Sequence, residues 1–333
     1  MTSTHVATAD VTGAGRRERS ELRDLRPGAE PQTRERRPRR RGWWVGLLFV
    51  APAALLFAVF GVYTVVYGFL LSFARWNGFS PEWTWTGFDN YIDLLGGNPS
   101  VSPRIATAAA NTAIGMIILP IAVILIGLIL ALLMNSIRRL RSVLRTVYFL
   151  PFVTTGIAVY YAWRFMYQPD GAVNVVLQAL GLGAIAPTDG FLGGTATALG
   201  AVLAVQIWSN VPIAMLLYLT GLQTIDNSLV EAARIDGASA ARIAWSIIVP
   251  LLNPITALVV VIMLREALQN FQLYLLMTNG GPVDSSNTLG LQTYSFAFGV
   301  TTDLGYASAL GWLLAAIAVI LAAVNMRILR SRA

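Results

Sequence analysis

Six stretches of this chain are apolar over lengths that a soluble domain rarely needs, and they constrain the fold more than any motif does. They lie near residues 44–72, 106–134, 147–167, 195–221, 254–277 and 304–326. Each reaches or exceeds the roughly 20 residues with which a helix crosses a bilayer. Hydrocarbon offers no hydrogen-bond partner, so a chain that crosses it there satisfies its backbone as helix. The pattern predicts an all-α integral membrane protein with about six transmembrane helices.

Composition then removes whole classes of chemistry. Only 12% of residues are charged and 56% are apolar. There is no cysteine, which excludes disulfides and thiolate metal sites, and no lysine, so all 24 basic residues are arginines. A phosphate loop ending in Gly-Lys-Ser/Thr is therefore excluded, and so is Schiff-base chemistry. The single histidine, His5, lies in a polar N-terminal arm, away from the apolar runs. These facts predict no catalytic residue, no metal site and no cofactor.

The arm, residues 1–41, is rich in Arg, Glu, Pro and Gly and poor in aromatics, so it reads as disordered. Its cluster "RERRPRRR" fits a cytoplasmic anchor against anionic membrane lipid better than a nucleic-acid site or an export signal. The apolar run behind it is far longer than a signal-peptide core of ~7 to 15 residues. Orientation follows from the other arginines. The loop "NSIRRLRSVLR" (135–145), the segment 222–253 and the tail "RILRSRA" are basic, like the arm. The alternate loops hold Glu82, Asp89, Asp93, Asp170, Asp189, Asp284 and Asp303 against Arg75 and Arg104. Positive-inside patterning puts both termini and the segment 222–253 in the cytoplasm, with residues 42–333 as the transmembrane domain. Trp43 and Trp44 at one end of the first span, and Trp76, Trp83 and Trp85 beyond the other, fit interfacial belts.

Within 222–253, "SLVEAARIDGASAARIAWSIIVPLLNP" is polar and compact between two apolar runs. Ser228 with Glu231 three residues on predicts a capping box that starts a short helix. Gly237 should end it, since glycine takes the left-handed conformation without a Cβ clash. A second helix over about 240–248 then meets Pro250 and Pro254. Ala232 and Ala233 leave one face small. That face suits either a docked partner or an amphipathic helix lying in the interface.

The wording of this segment resembles the cytoplasmic EAA loop of binding-protein-dependent ABC importer permeases. The matching residues are Glu231, Ala232, Ala233, Asp236, Gly237, Ile247 and Pro250, with Val249 where the family pattern has leucine and Ala244 where many members have phenylalanine. "TGFDNYIDLL" (86–95), Asn111 with Thr112, "LPFVTTGIAVYYAWRFMYQPDGAVN" (150–174), "IWSNVP" (207–212) and "TNGGPVDSSNTLGLQTYSFAF" (278–298) follow in the order of the carbohydrate branch. The resemblance implies a type I importer fold whose coupling helix seats in a groove of a cytoplasmic ATPase subunit. It also implies a second permease subunit, an extracytoplasmic sugar-binding protein and a sugar substrate, with a disaccharide or oligosaccharide favoured.

Inside the spans, polar side chains gather in two places. Arg265, Glu266, Gln269, Asn270 and Gln272 share one side of the fifth span, and Gln206, Ser209 and Asn210 lie at i, i+3 and i+4 on the fourth beside Pro212. Pro212 should kink that helix. Intramembrane charge is costly and marks a pathway by default. A sugar shedding water needs such a lining, whereas the alternative is an Arg265–Glu266 pair or interhelical packing. Tyr160, Tyr161 and Trp163 fit aromatic packing better than sugar stacking. A second function, a cation-coupled secondary transporter with Glu266 as its proton carrier, accounts for the acid but leaves the EAA-like loop without a purpose.

Overall fold

The computed structural model describes residues 43–136 and 156–330. The basic arm, most of the loop 135–145 and the first half of the third apolar run lie outside them. The chain divides into two units, residues 1–61 and 62–333. The described part of the first is helix α1 (Trp43–Leu56), with Pro52 inside it, and the start of a π-helical turn, Phe57–Tyr63. Leu48, Phe49, Phe57 and Phe60 are all exposed there. Side chains of that kind belong against lipid, where no hydration penalty applies.

In the second unit a short helix α2 (Thr64–Leu71) leads into a two-residue hairpin, β1 (Ala74–Arg75) and β2 (Thr84–Trp85), with Ala74 opposite Trp85. Then follow α3 (Asp89–Ile92), α4 (Ser102–Ser136), α5 (Gly156–Met166), α6 (Ala172–Ala179) and α7 (Ala198–Leu222). The EAA-like segment forms α8 (Asn227–Ile235), α9 (Ala240–Ile243), a π-helical turn (Ala244–Ile248) and α10 (Val249–Leu251). The remainder is α11 (Asn253–Gln269), α12 (Phe271–Met277), α13 (Leu289–Phe298) and α14 (Leu304–Arg330).

Among the described residues four helices are long and apolar enough to cross a membrane: Gly46–Leu71, Ser102–Asn135, Ala198–Leu222 and Leu304–Arg327. A fifth candidate is the pair Ala240–Leu251 and Asn253–Gln269, bent by 67°. That bend turns the EAA-like segment away from the axis of the span that follows it. The fifth apolar run is not one helix, because Asn270 leaves helical geometry at φ −77°, ψ 81° and begins α12. Of the third predicted span only α5 is described. The fourth runs as one helix through Pro212.

The core of the bundle is α4 against α7, with α11 packed on both. Leu119, Val123, Met215, Tyr218, Leu219 and Met263 meet there out of contact with any solvent or lipid. Helices in a bilayer associate through close packing rather than water release, so small residues at the crossing matter most. A Cβ on Gly127 would stand 2.8 Å from the Ala214 Cβ, and one on Gly115 would stand 3.6 Å from Leu203. The two contacts advance together along both chains, so α4 and α7 run parallel. Alternate membrane crossings should do so. Gly127→Leu is expected to force this crossing apart and lower the thermal midpoint of the detergent-solubilised chain. Overpacking of this kind typically costs about 1–3 kcal/mol, and an unchanged midpoint in a fluorescence melt would refute the packing argument.

At the end of the bundle opposite α8, polar side chains tie loops to helices. Asn111 Nδ2 donates to the carbonyls of Asp284, Ser285 and Asn287 at 3.3, 3.0 and 2.8 Å. Thr112 Oγ1 accepts from the Leu289 N–H at 3.0 Å. Arg104 grips Asp284 with two contacts of 3.0 Å. The Asn-Thr pair of the sequence thus holds the Gly-Gly-Pro loop, which carries Asn279, Val283 and Asp284 at positive φ.

Candidate functional site

Two places hold the residues singled out from sequence. The first is the loop α8–α10. Its helix starts two residues earlier than the sequence implies, because Asp226 rather than Ser228 is the cap: Asp226 Oδ1 accepts from the Ser228 N–H at 2.9 Å. A carboxylate there is a stronger acceptor than a hydroxyl and also meets the positive end of the helix. The N–H of Ser228 holds the Asp226 carboxyl below the ordinary carboxylate range. The cap therefore persists at neutral pH and is lost only as pH falls through that depressed value. Glu231 is left free of the cap and faces outward.

The helix ends as the glycine requires. Gly237 sits at φ 78°, its N–H donates to the Arg234 carbonyl at 3.0 Å, and Ala238 N–H donates to Ala233 at 2.9 Å. This pair of bonds is a Schellman closure. Ser239 then caps α9 by accepting from the Arg242 N–H. No residue of α8 is buried. Ile235 is 86% exposed and Trp245 is 65% exposed, while Ala233 and Ile247 are half-buried and Glu231, Ala232, Asp236 and Pro250 are exposed. A rigid, doubly capped helix that presents apolar side chains at a bundle's end is built to be covered.

The second place is a pocket of about 270 Å³ lined by Arg265, Glu266, Gln269, Asn270 and Gln272 together with Tyr160 and Phe271. All five stripe residues of the fifth span meet there. The break at Asn270 makes this possible: Asn270 Oδ1 caps α12 by accepting from the Leu273 N–H at 3.2 Å, and its Nδ2 donates to Glu266 Oε1 at 2.6 Å. Arg265 and Glu266 are not paired; the ion pairs among the described residues are Arg75–Asp93 and Arg104–Asp284. Adjacent residues on a helix point about 100° apart, which suits separate contacts better than one bridge.

The fourth-span residues do not line this pocket. Gln206 is buried, its Nε2 donating to the Glu266 carbonyl at 3.3 Å and its Oε1 accepting from the Tyr274 hydroxyl at 3.1 Å. It clamps the backbone just ahead of the break. Asn210 Nδ2 turns back to the Gln206 carbonyl at 2.8 Å, and Ser209 Oγ is buried with no partner among the described residues. Sequence reasoning missed Tyr274 and the pocket role of Phe271, and it placed Tyr160 with aromatic packing. The signal for the break was present in "QNFQ", an asparagine of the type that caps helices.

Long apolar helices, a capped helical loop exposed between two of them and a polar pocket within a broken span define a membrane permease. The chain belongs to the family of binding-protein-dependent transport system inner membrane components, which it matches over residues 123–332. It is 33% identical over 288 residues to the probable ABC transporter permease protein YurN of Bacillus subtilis, covering 85% of this chain and 95% of that one. It is 30% identical over 275 residues to the multiple sugar-binding transport system permease protein MsmF of Streptococcus mutans, with coverage of 82% and 90%. In fold it is similar to a chain of a bacterial ABC transporter involved in the import of the acidic polysaccharide alginate. That likeness has a TM-score of 0.73 at 22% identity and covers 87% of this chain and 96% of that chain.

Proposed function

We propose that this chain is the sugar-translocating permease subunit of an ATP-driven importer in the cytoplasmic membrane, carrying a disaccharide or oligosaccharide through the pocket at the break in its fifth span. The observation that carries the reading is that pocket: amide, guanidinium and carboxylate groups beside Tyr160 and Phe271 offer the donors, acceptors and ring faces that sugar hydroxyls and rings require. The names of relatives such as MsmF support the substrate class. The loop α8–α10 docks on a cytoplasmic ATPase subunit, and the arginine pattern supports both termini lying on that same side. A second permease subunit completes the path and a soluble sugar-binding protein delivers the substrate. The chain itself performs no catalysis. ATP binding to the partner shifts the inward and outward states only through its different affinity for each.

Reconstitution tests this. The chain alone in proteoliposomes is expected to move no sugar under a proton gradient. With its second permease, ATPase and loaded binding protein it should take up sugar on addition of ATP. Gradient-driven uptake by the chain alone would establish a cation-coupled transporter working through Glu266.

A further inference from the structure

A second pocket, of about 310 Å³, lies toward the opposite end of the bundle from α8, lined in part by Arg164, Tyr167, Gln168, Asp189, Thr278 and Gly281. Its lining shares no residue with the first, but both pockets are bordered by α5 and α12. On α5, Tyr160 faces the inner pocket and Arg164, four residues on, faces this one. Residues at i and i+4 stand on the same helix face, about 6 Å apart along the axis. On the packed neighbour α12, Phe271 belongs to the inner pocket and Thr278, seven residues on, to the outer one, roughly 10 Å further along. The two pockets thus lie at successive heights along α5 and α12.

The outer lining is polar and mostly uncommitted. Among the described residues the side chains of Gln168 and Asp189 make no hydrogen bond or ion pair, and Arg164 spends one donor on the Leu276 carbonyl at 3.2 Å. Arg164 and Asp189 line the same space without pairing. Beneath them Tyr167 is buried and fixed between Trp163 and Phe191, with ring centres 5.4 Å from each. Unpaired donors and acceptors over a rigid aromatic floor are the groups that replace water around a polyol.

We propose that this pocket is an outer sugar subsite, in line with the inner one, so that an oligosaccharide occupies both stations while a disaccharide fits within the inner one. The proposal rests on the inner pocket being the sugar path. A docked segment of a partner protein would meet a ligand-sized concavity here rather than a broad surface, so a sugar is the occupant the lining favours.

The test is sugar binding to the assembled transporter without its binding protein, followed by saturation-transfer NMR with the disaccharide and pentasaccharide of the malto-, cello- and chito- series. Gln168→Ala and Asp189→Asn should each weaken pentasaccharide binding about three- to tenfold, the range expected for one lost hydrogen bond, and leave disaccharide binding within about twofold. Gln269→Ala in the inner pocket should weaken both lengths alike. If the outer variants shift both lengths equally or neither, while Gln269→Ala acts, the outer subsite is overturned and the inner path stands. If they spare sugar but weaken capture of the binding protein, the pocket is a protein-docking surface and the subsite is again overturned. If Gln269→Ala is silent while the outer variants discriminate by length, the inner path fails and the in-line subsite is overturned with it, leaving a sugar site at the outer pocket alone. Absence of binding of any length to the unmodified transporter would overturn both.

Discussion

Gly237→Pro is expected to leave the chain inserted and folded in its spans while ATPase stimulation by loaded binding protein falls to the basal rate. Proline holds φ near −65°, and Gly237 sits at 78° with its N–H bonded to Arg234. The substitution removes both the closing bond and the turn, so α8 and α9 lose their fixed angle. Gly237→Ala should be milder, because open space surrounds the Cβ and only the left-handed backbone is penalised, by about 1–2 kcal/mol. Glu231→Arg separates contact from fold. Glu231 is exposed and takes no part in the cap, so its reversal leaves α8 intact and acts only on what covers it. Copurification with the ATPase subunit should be lost in Glu231→Arg with no change in thermal midpoint. Full sugar-driven ATPase activity in both Gly237→Pro and Glu231→Arg would remove the coupling assignment.

Those expectations rest on a segment that sequence described well, because local rules decide it. Gly237 acts within a turn of where it stands and ends α8, whereas the second helical run continues through Pro250 to Leu251. The cap was misplaced by two residues because Ser228 and Asp226 are both good caps. Asp226, the charged acceptor, takes the Ser228 N–H, so the residue expected as cap is itself the one capped. The broken fifth span was harder to read: the polar run 265–272 holds a capping asparagine, but Asn270 could equally sit on the polar side of one helix, and its cap on Leu273 together with the clamp of Gln206 on the Glu266 carbonyl marks the break. Gln206 itself shows the limit of pattern reading. Its position beside Ser209 and Asn210 marks a polar face, but whether such a face lines a path or binds a neighbouring helix is settled by Tyr274, 68 residues away. The Asn-Thr pair at 111–112 was legible only as part of a resemblance; its physical task, three carbonyls and one N–H of a distant loop, has no local signature.

The pairing of Glu266 with Asn270 in place of Arg265 changes what mutation of the inner pocket should show. Had Arg265 and Glu266 formed an ion pair, removing either alone would strand a charge in low dielectric and be worse than removing both. Among the described residues Arg265 has no such partner, so Arg265→Ala and Glu266→Ala should be additive to within about 0.5 kcal/mol in apparent sugar affinity. Glu266→Ala and Asn270→Ala should instead be coupled, because a charge-assisted hydrogen bond of 2.6 Å joins them and contributes on the order of 1.5–3 kcal/mol. Asn270 also caps α12, so Asn270→Ser, which keeps a capping oxygen, removes the amide donor and adds no second carboxylate beside Glu266, isolates the contact with Glu266. Gln269→Ala and Gln272→Ala, with no such internal duty, should raise the sugar concentration for half-maximal uptake by up to about tenfold at unchanged basal ATPase activity. Coupling between Arg265 and Glu266 with none between Glu266 and Asn270 would mean that the pocket rearranges in the working transporter. Unchanged uptake across all five alanine variants would reduce the stripe to helix packing, because groups that touch a moving sugar cannot all be removed without a trace in its affinity.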